Sequence, residues 1–378
     1  MVNYAYLDHN ATTTPRPETV RAMTSVLGRV GNPSSVHGPG REARKLMEQA
    51  RTNVAALVNA SAADVIFTSG GTEANNLALT GCGRQRRLVS AVEHPSVLKG
   101  GGETLSVDGN GIVDLDRLDQ LLLADNDPAL VSVMLANNET GVIEPIKDVV
   151  AIAHRHGALV HCDAIQAAGK IPVDIVTLGV DMMSLSAHKI GGPSGVGALI
   201  VPGMGDGTGA KLNGQLFGGG QERGFRVGTE NLPGIAGFGA AAAAALASLQ
   251  DFARLASLRD AIEKGIKDIE PQATVIGEDV IRLPNTVCLS MPGTDSQTQV
   301  MAFDLAGVGV SAGSACSSGK AKASGVLKAM GVCDDIAGSA VRVSLGWCST
   351  ESDVDTFLEA WRELYFRRSA REISSPAA

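Results

Sequence analysis

One cysteine, Cys316, stands in the stretch SAGSACSSGKAKASG (311–325), among serines, alanines and glycines that cannot anchor a core. A structural cysteine is usually buried and behaves as a small hydrophobe, so this thiol reads as one presented to a reaction partner. A second set of reactive residue types falls just after apolar runs. Gly71 and Thr72 follow 64–69 in FTSGGTEANN, His94 follows 87–92 in EHP, and Asn138 follows 129–136 in NNETG. Asp163 closes 158–163 with Gln166 three residues on, and Ser186, His188 and Lys189 end the run 181–187 in SAHKIGGPSG. A Gly-rich turn entering a helix offers bare amides to a phosphate. It carries neither the GK[ST] of a Walker loop nor G-x-G-x-x-G, so a dinucleotide is not favoured. A partly desolvated lysine beside glycines is a candidate nucleophile toward a carbonyl. An aspartate ending an apolar strand needs a partner, and a protonated ring nitrogen would serve.

These residues need a scaffold that brings strand ends together. The apolar runs 64–69, 87–92, 129–136, 158–163, 181–187 and 197–201 read as buried strands, and 73–80, 114–124 and 145–156 as helices between them. Such alternation predicts an α/β fold with a mostly parallel sheet covered on both faces. In open parallel sheets ligands bind beyond the carboxyl ends of the strands, where the polar residues above would converge. The Ala-rich run 236–249 and its continuation predict one or two long helices leading into a second unit, with a boundary near residue 250. NTVCLSM and AVRVSLG then supply strands of a smaller α+β domain.

Composition narrows the function classes. The chain has 378 residues, 44% hydrophobic and 19% charged, ordinary for a globular protein with more than one domain. Its 45 glycines exceed the usual share of about 7% and suggest tight loops close to ligands. A net charge of −8 with scattered Lys and Arg argues against nucleic acid as a partner. No run is long and apolar enough for a membrane span, and the first residues lack the pattern of a secretory leader. The six cysteines, at 82, 162, 288, 316, 333 and 348, show no CxxC spacing, so no metal site is expected and the thiols are expected reduced, in the cytoplasm.

A phosphate turn, an aspartate and a lysine at successive strand ends are the equipment that pyridoxal 5'-phosphate (PLP) requires. The ordered motifs YLDHNATT, GNPSSVH, FTSGGTEANN, EHPSV, NNETG, HCDAIQAAGK, SAHKIGGPSGVGAL, GGGQERGFRVGTEN, GSACSSG and VRVSLG resemble the cysteine desulfurases of the NifS/IscS type, class V aminotransferases within the fold-type-I PLP enzymes. The resemblance spans nearly the whole chain. It implies a large PLP-binding domain over 13–250 and a small domain, 1–12 with 251–378, carrying the catalytic Cys loop. Lys189 is implied as the lysine bonded to the cofactor, Asp163 as partner of the pyridine nitrogen, and His94 as a ring-stacking group that handles protons. Gln166 and Asn138 would contact the ring hydroxyl side. Gly71, Thr72, Ser186 and His188 would hold the phosphate, with Thr229 reaching that of a second subunit in a homodimer with shared active sites. Arg342 and Asn32 would bind the substrate carboxylate.

Cys316 matches the catalytic cysteine, and its GSAC surround resembles the NifS/IscS branch. The implied activity converts L-cysteine to L-alanine and leaves a persulfide on Cys316, for transfer to a sulfur acceptor or an iron–sulfur scaffold protein. The alternatives are a selenocysteine lyase or another PLP-dependent aminotransferase-type activity, although an aminotransferase has no use for a presented thiol. A binding protein without activity would not be expected to keep Lys189, Asp163, His94 and Cys316 together. Two positions depart from the common pattern: Ala187 stands where many relatives have Gly, and Val227 where Ser is frequent.

Overall fold

The computed structural model describes residues 4–313 and 324–374. The chain starts in a two-residue strand, β1 (Ala5–Tyr6), and then crosses to a seven-stranded sheet. That sheet is built from β2 (Val65–Thr68), β3 (Arg86–Ser90), β4 (Glu103–Leu105), β5 (Ala129–Ser132), β6 (Leu159–Asp163), β7 (Met182–Ser186) and β8 (Gly197–Ile200). Its order is β2-β8-β7-β6-β5-β3-β4. The pairs β4–β3, β3–β5, β5–β6 and β6–β7 are parallel, and β8 alone runs against its neighbours. The expected mostly parallel sheet is therefore present.

Each strand alternates which side of the sheet it feeds. Phe67, Val131, Met183 and Ala198 join one apolar cluster, while their neighbours Ile66, Leu130, Met182 and Leu199 join another. Burial on both faces explains why these strands read as continuous apolar runs. The predicted helices appear as Gly71–Gly81, Leu115–Ala124 and Ile146–Arg155. The short edge strand β4 has a three-residue core too brief to stand out in the sequence.

The Ala-rich run forms helix Leu232–Ala247, then breaks into Leu249–Ala253 and Leu255–Ile269. The first of these packs on Gly38–Leu57, and a Cβ added at Gly239 would lie 2.5 Å from the Ala50 Cα. Gly239→Ala removes a helix-interior glycine, worth about 1 kcal/mol, but drives that methyl into a backbone atom, costing about 1–3 kcal/mol. A net loss of stability is expected, seen as a lower urea midpoint; a higher midpoint would contradict this packing. Among the described residues no single helix is long and apolar enough to cross a membrane.

The C-terminal part carries β9 (Thr274–Ile276), β10 (Thr286–Ser290), β11 (Val308–Gly309), β12 (Ser311–Ala312) and β13 (Ala340–Ser344). Four of these form the antiparallel sheet β12-β13-β10-β9, while β11 pairs with β1. A separate apolar cluster holds them together, with Leu7, Ile262, Phe303, Val343 and Trp361 among its members. Leu7 thus belongs with the C-terminal elements, and the backbone from Asp8 onward, bridged to Ser344, leads from this small sheet to the ends of the large one.

Candidate active site

A cavity of about 690 Å³ opens at the carboxyl ends of β2, β3, β5, β6 and β7. Gly71, Thr72, His94, Asn138 and Asp163 line it, as do Gln166, Ser186, His188, Lys189 and, from β13, Arg342. The structure therefore brings ten of the residues singled out from the sequence to one place. Parallel strands deliver their ends to the same edge, which is why Gly71 and Lys189, 118 positions apart (189 minus 71), meet there, while Arg342 comes from the small antiparallel sheet.

At one end of the cavity, helix Gly71–Gly81 begins with no side chain capping its first amides. Those N–H groups remain available to an anion. Position 71 is closely approached by a neighbour: a Cβ there would sit 2.2 Å from the Ile165 Cδ1, so the Ile165 side chain would have to move to admit one. His188 donates to or accepts from the Thr12 Oγ1 through Nδ1 at 3.2 Å. Burial, reinforced by the Lys189 charge, lowers its pKa to about 4, so it is neutral at pH 7.

Asp163 is buried at the end of β6. Its Oδ1 accepts from the Ile165 N–H at 2.9 Å and its Oδ2 from the Asn75 Nδ2 at 2.7 Å. Burial pushes the carboxyl up, against the pull of those two donors and of His94 and Lys189. Neutral donors only partly offset the desolvation of a carboxylate. Asn75 also donates to the Ser96 Oγ at 2.9 Å, and the Ser96 backbone N–H donates to the His94 Nδ1 at 3.1 Å. Because Nδ1 accepts from an amide, the neutral His94 ring carries its proton on Nε2. Burial lowers the His94 pKa, opposed by Asp163 and aided by Lys189. Asn75 and Ser96 thus tie the two expected ring contacts together, although neither was singled out from the sequence.

Lys189 ends the turn Ala187–Lys189 that follows β7, and its Nζ donates to the backbone carbonyls of Asn10 and Ala11. Asn10 is a third residue that sequence reasoning passed over. Its carbonyl also accepts from the Gln166 Nε2 at 3.0 Å. Its side chain accepts from the Lys170 Nζ at 2.7 Å and donates to the Thr286 Oγ1 at 2.9 Å. The Lys170 Nζ donates again to the Gln166 Oε1 at 2.7 Å. The only sequence signal for Asn10 was its place inside YLDHNATT.

Arg342 enters from the small sheet. One nitrogen donates to the Asp8 Oδ1 at 2.6 Å and another to the Asn138 carbonyl at 3.0 Å. Its Nε is buried without a partner. Asn32 and Thr229 are exposed and do not line the cavity; the Asn32 Oδ1 instead accepts from the Ser34 N–H at 2.8 Å in a local turn. Cys316 lies outside the described residues.

The donor set fits PLP on the structure's own terms. Uncapped helix amides at Gly71 face one end, a buried carboxylate with only neutral bonded donors faces the middle, and a lysine stands beside it.

The family comparison agrees with this geometry. The model of the class-V aminotransferases matches residues 5–357, and the chain belongs to that family. Within it the chain falls among the cysteine desulfurases. It is 42% identical over 371 residues to a cysteine desulfurase of Cereibacter sphaeroides, covering 94% of each chain. It is 40% identical to the cysteine desulfurase IscS of Dictyoglomus turgidum, over 95% of this chain and 94% of that one. Among solved structures, the NifS-like protein from Rickettsia africae superposes with a TM-score of 0.87 at 35% identity, over 96% of this chain and 99% of the other.

Proposed function

We propose that this chain converts L-cysteine to L-alanine with PLP as cofactor, and holds the sulfur as a persulfide on Cys316 until an acceptor or iron–sulfur scaffold protein takes it. The observation that carries the reading is that Asp163 at the end of β6, Lys189 in the turn after β7 and Arg342 in the middle of β13 face one cavity. Gly71, Thr72, Ser186 and His188 would hold the phosphate, Asp163 the ring nitrogen, and Gln166 and Asn138 the hydroxyl side. Bound there, PLP supplies a covalent anchor for the substrate amine and a sink for electrons released at its Cα.

The chain's own residues supply the rest. Arg342 orients the substrate carboxylate; Asn32, implied by the resemblance as a second contact, lies outside the cavity of the single chain and would have to reach it from elsewhere in the assembly. His94, protonated on Nε2, enters as a proton donor, which leaves Lys189 to take the Cα proton. The Cys316 thiolate attacks the substrate sulfur. The bond from that sulfur to Cβ breaks, its electron pair stays with carbon, and a proton completes alanine.

We also propose a homodimer in which Thr229 of each subunit reaches the other's phosphate site. Thr229 is exposed, and the nearby Leu216 and Phe217 expose apolar surface. The separate apolar clusters support a large unit over 13–250 and a small one from 1–12 and 251–378. Cys82, Cys162, Cys288, Cys333 and Cys348 are all unpaired, as suits a reducing cytoplasm.

Incubation with L-cysteine and excess dithiothreitol should give alanine and sulfide in equal amounts. Pyruvate in place of alanine, or no reaction, would overturn the reading. Asp163→Asn should keep the fold, because the Asn75 Oδ1, buried without a partner, can accept from the new amide once Asn75 flips. The lost hydrogen bond to a charged group, about 1.5–3 kcal/mol, should slow alanine formation about ten- to hundredfold. Wild-type rates in this variant would remove Asp163 from its role.

A further inference from the structure

We propose that Glu139 is a positioning residue for sulfur transfer: its side chain anchors Ser324, the residue at which the described fold resumes after the stretch bearing Cys316. The proposal rests on the Cys316 role given above.

Glu139 follows Asn138 in the tight turn after β5. Its N–H and that of Thr140 both donate to the Asn137 Oδ1, at 2.8 and 3.0 Å. The turn aims the carboxylate away from the cavity and toward the small sheet. There the Ser324 Oγ donates to the Glu139 Oε2 at 2.5 Å. The same hydroxyl accepts from the Leu327 N–H at 3.1 Å and so starts the helix Gly325–Ala329. On the other side stands Gly313, its N–H donating to the Ala340 carbonyl at 3.2 Å. A Cβ on Gly313 would lie 3.5 Å from the Glu139 Oε2 and 3.6 Å from the Ser324 Cβ. The carboxylate oxygen that accepts from Ser324 thus also lies near Gly313, whose own backbone is held by Ala340.

The same turn reaches the substrate site. Asn138 lines the cavity, and its carbonyl accepts from Arg342 at 3.0 Å. Two residues in sequence thus join Arg342 to Ser324. A fold needing only stability would favour an apolar side chain here, because a buried carboxylate carries a desolvation cost that its partners only partly offset. Anchoring Ser324 would fix one point from which the stretch bearing Cys316 is held.

The groups facing Glu139 are Arg342 on β13, Cys288 on β10 and Ser324. Burial raises the Glu139 carboxyl to about 7, against the Ser324 hydrogen bond and the Arg342 charge. Cys288, pushed to about 12 mainly by burial, stays a neutral thiol. The Ser324 bond is charge-assisted only when Glu139 is ionised, so the tie is strongest above neutrality and weakens as pH falls.

The test compares wild type, Glu139→Ala and Glu139→Gln as full-length, PLP-loaded enzymes. Three quantities are read: trypsin cleavage at Lys320 and Lys322, single-turnover persulfide on Cys316 by mass spectrometry, and the visible absorbance change when L-cysteine binds. Glu139→Ala should be cut about tenfold faster and form persulfide about tenfold more slowly, the scale of one charge-assisted hydrogen bond. Its absorbance response should be kept. Glu139→Gln, which still accepts from Ser324, should restore slow cleavage but lose the wild type's rise in persulfide rate through neutral pH.

Unchanged cleavage and persulfide rates in Glu139→Ala would overturn the proposal. So would loss of the absorbance response, which would make Glu139 part of the binding site. If Glu139→Ala fails to fold, an unaltered pH profile in Glu139→Gln overturns it alone. Should Cys316→Ser prove fully active, the Cys316 reading fails, while the trypsin comparison still judges Glu139.

Discussion

Lys189→Ala is expected to lower alanine formation from L-cysteine by at least about 10⁴-fold, the size of loss when one group serves as both nucleophile and proton carrier. The fold should survive, because the Lys189 side chain lines the cavity and bonds backbone carbonyls of Asn10 and Ala11 rather than filling the apolar core. Borohydride reduction of the wild type followed by peptide mapping should mark Lys189. The informative competitor is Lys170. Burial and the charges of Lys189 and Arg342 push its pKa well down, so it too could be an unprotonated amine. Yet its Nζ is engaged by the Asn10 Oδ1 and the Gln166 Oε1, and it does not line the cavity. A label on Lys170 would therefore reassign the anchor and move the cofactor to the far side of Asn10.

The scaffold of this site was legible because its physics is local. Strands buried on both faces must be apolar throughout, and a parallel sheet places their polar successors on one edge. The run 129–136 read as one strand although β5 ends at Ser132. The backbone continues the pattern, with Val133 and Leu135 donating to the carbonyls of His161 and Asp163. What was not legible is tertiary. Arg342 stood out only through the family resemblance, and its partner Asp8, 334 positions away, left no sign in the sequence. Asn10 binds groups 128 to 276 residues distant. Asn75 looks like any helix asparagine, yet it bridges Asp163 and Ser96. Polar residues whose partners lie far off in sequence leave no periodic trace.

These long-range contacts also show how the two sheets act together. The strand-end groups of the large sheet line the cavity proposed for the cofactor, and β13 of the small sheet brings Arg342 to them through Asp8 and the Asn138 carbonyl. A substrate carboxylate arriving at the guanidinium meets a group already oriented on two sides, which limits the order it must impose on binding.

Cys316→Ser should separate substrate binding from sulfur transfer. The segment's flanking residues, Gly313 and Ser324, are held by the Ala340 carbonyl and by Glu139 and not by anything in the cavity. The substitution should therefore leave PLP binding and the absorbance response to L-cysteine intact. Desulfuration requires a strong nucleophile toward sulfur, and a serine hydroxyl near neutrality is a very weak one. Alanine formation should fall by at least about 10³-fold, with no persulfide detected. No other thiol is placed to substitute. Cys162 and Cys288 are buried, and burial raises both, Cys288 to about 12. Cys82 is buried against the Leu79 carbonyl. Cys333 and Cys348 are exposed but line no part of the cavity. Serine at any of these five positions should leave turnover near wild type. Mass spectrometry of the wild type after one turnover should place the added sulfur on Cys316. Sulfur on Cys333 or Cys348, or brisk alanine release by Cys316→Ser, would show that the thiol in this glycine- and serine-rich stretch is not the acceptor.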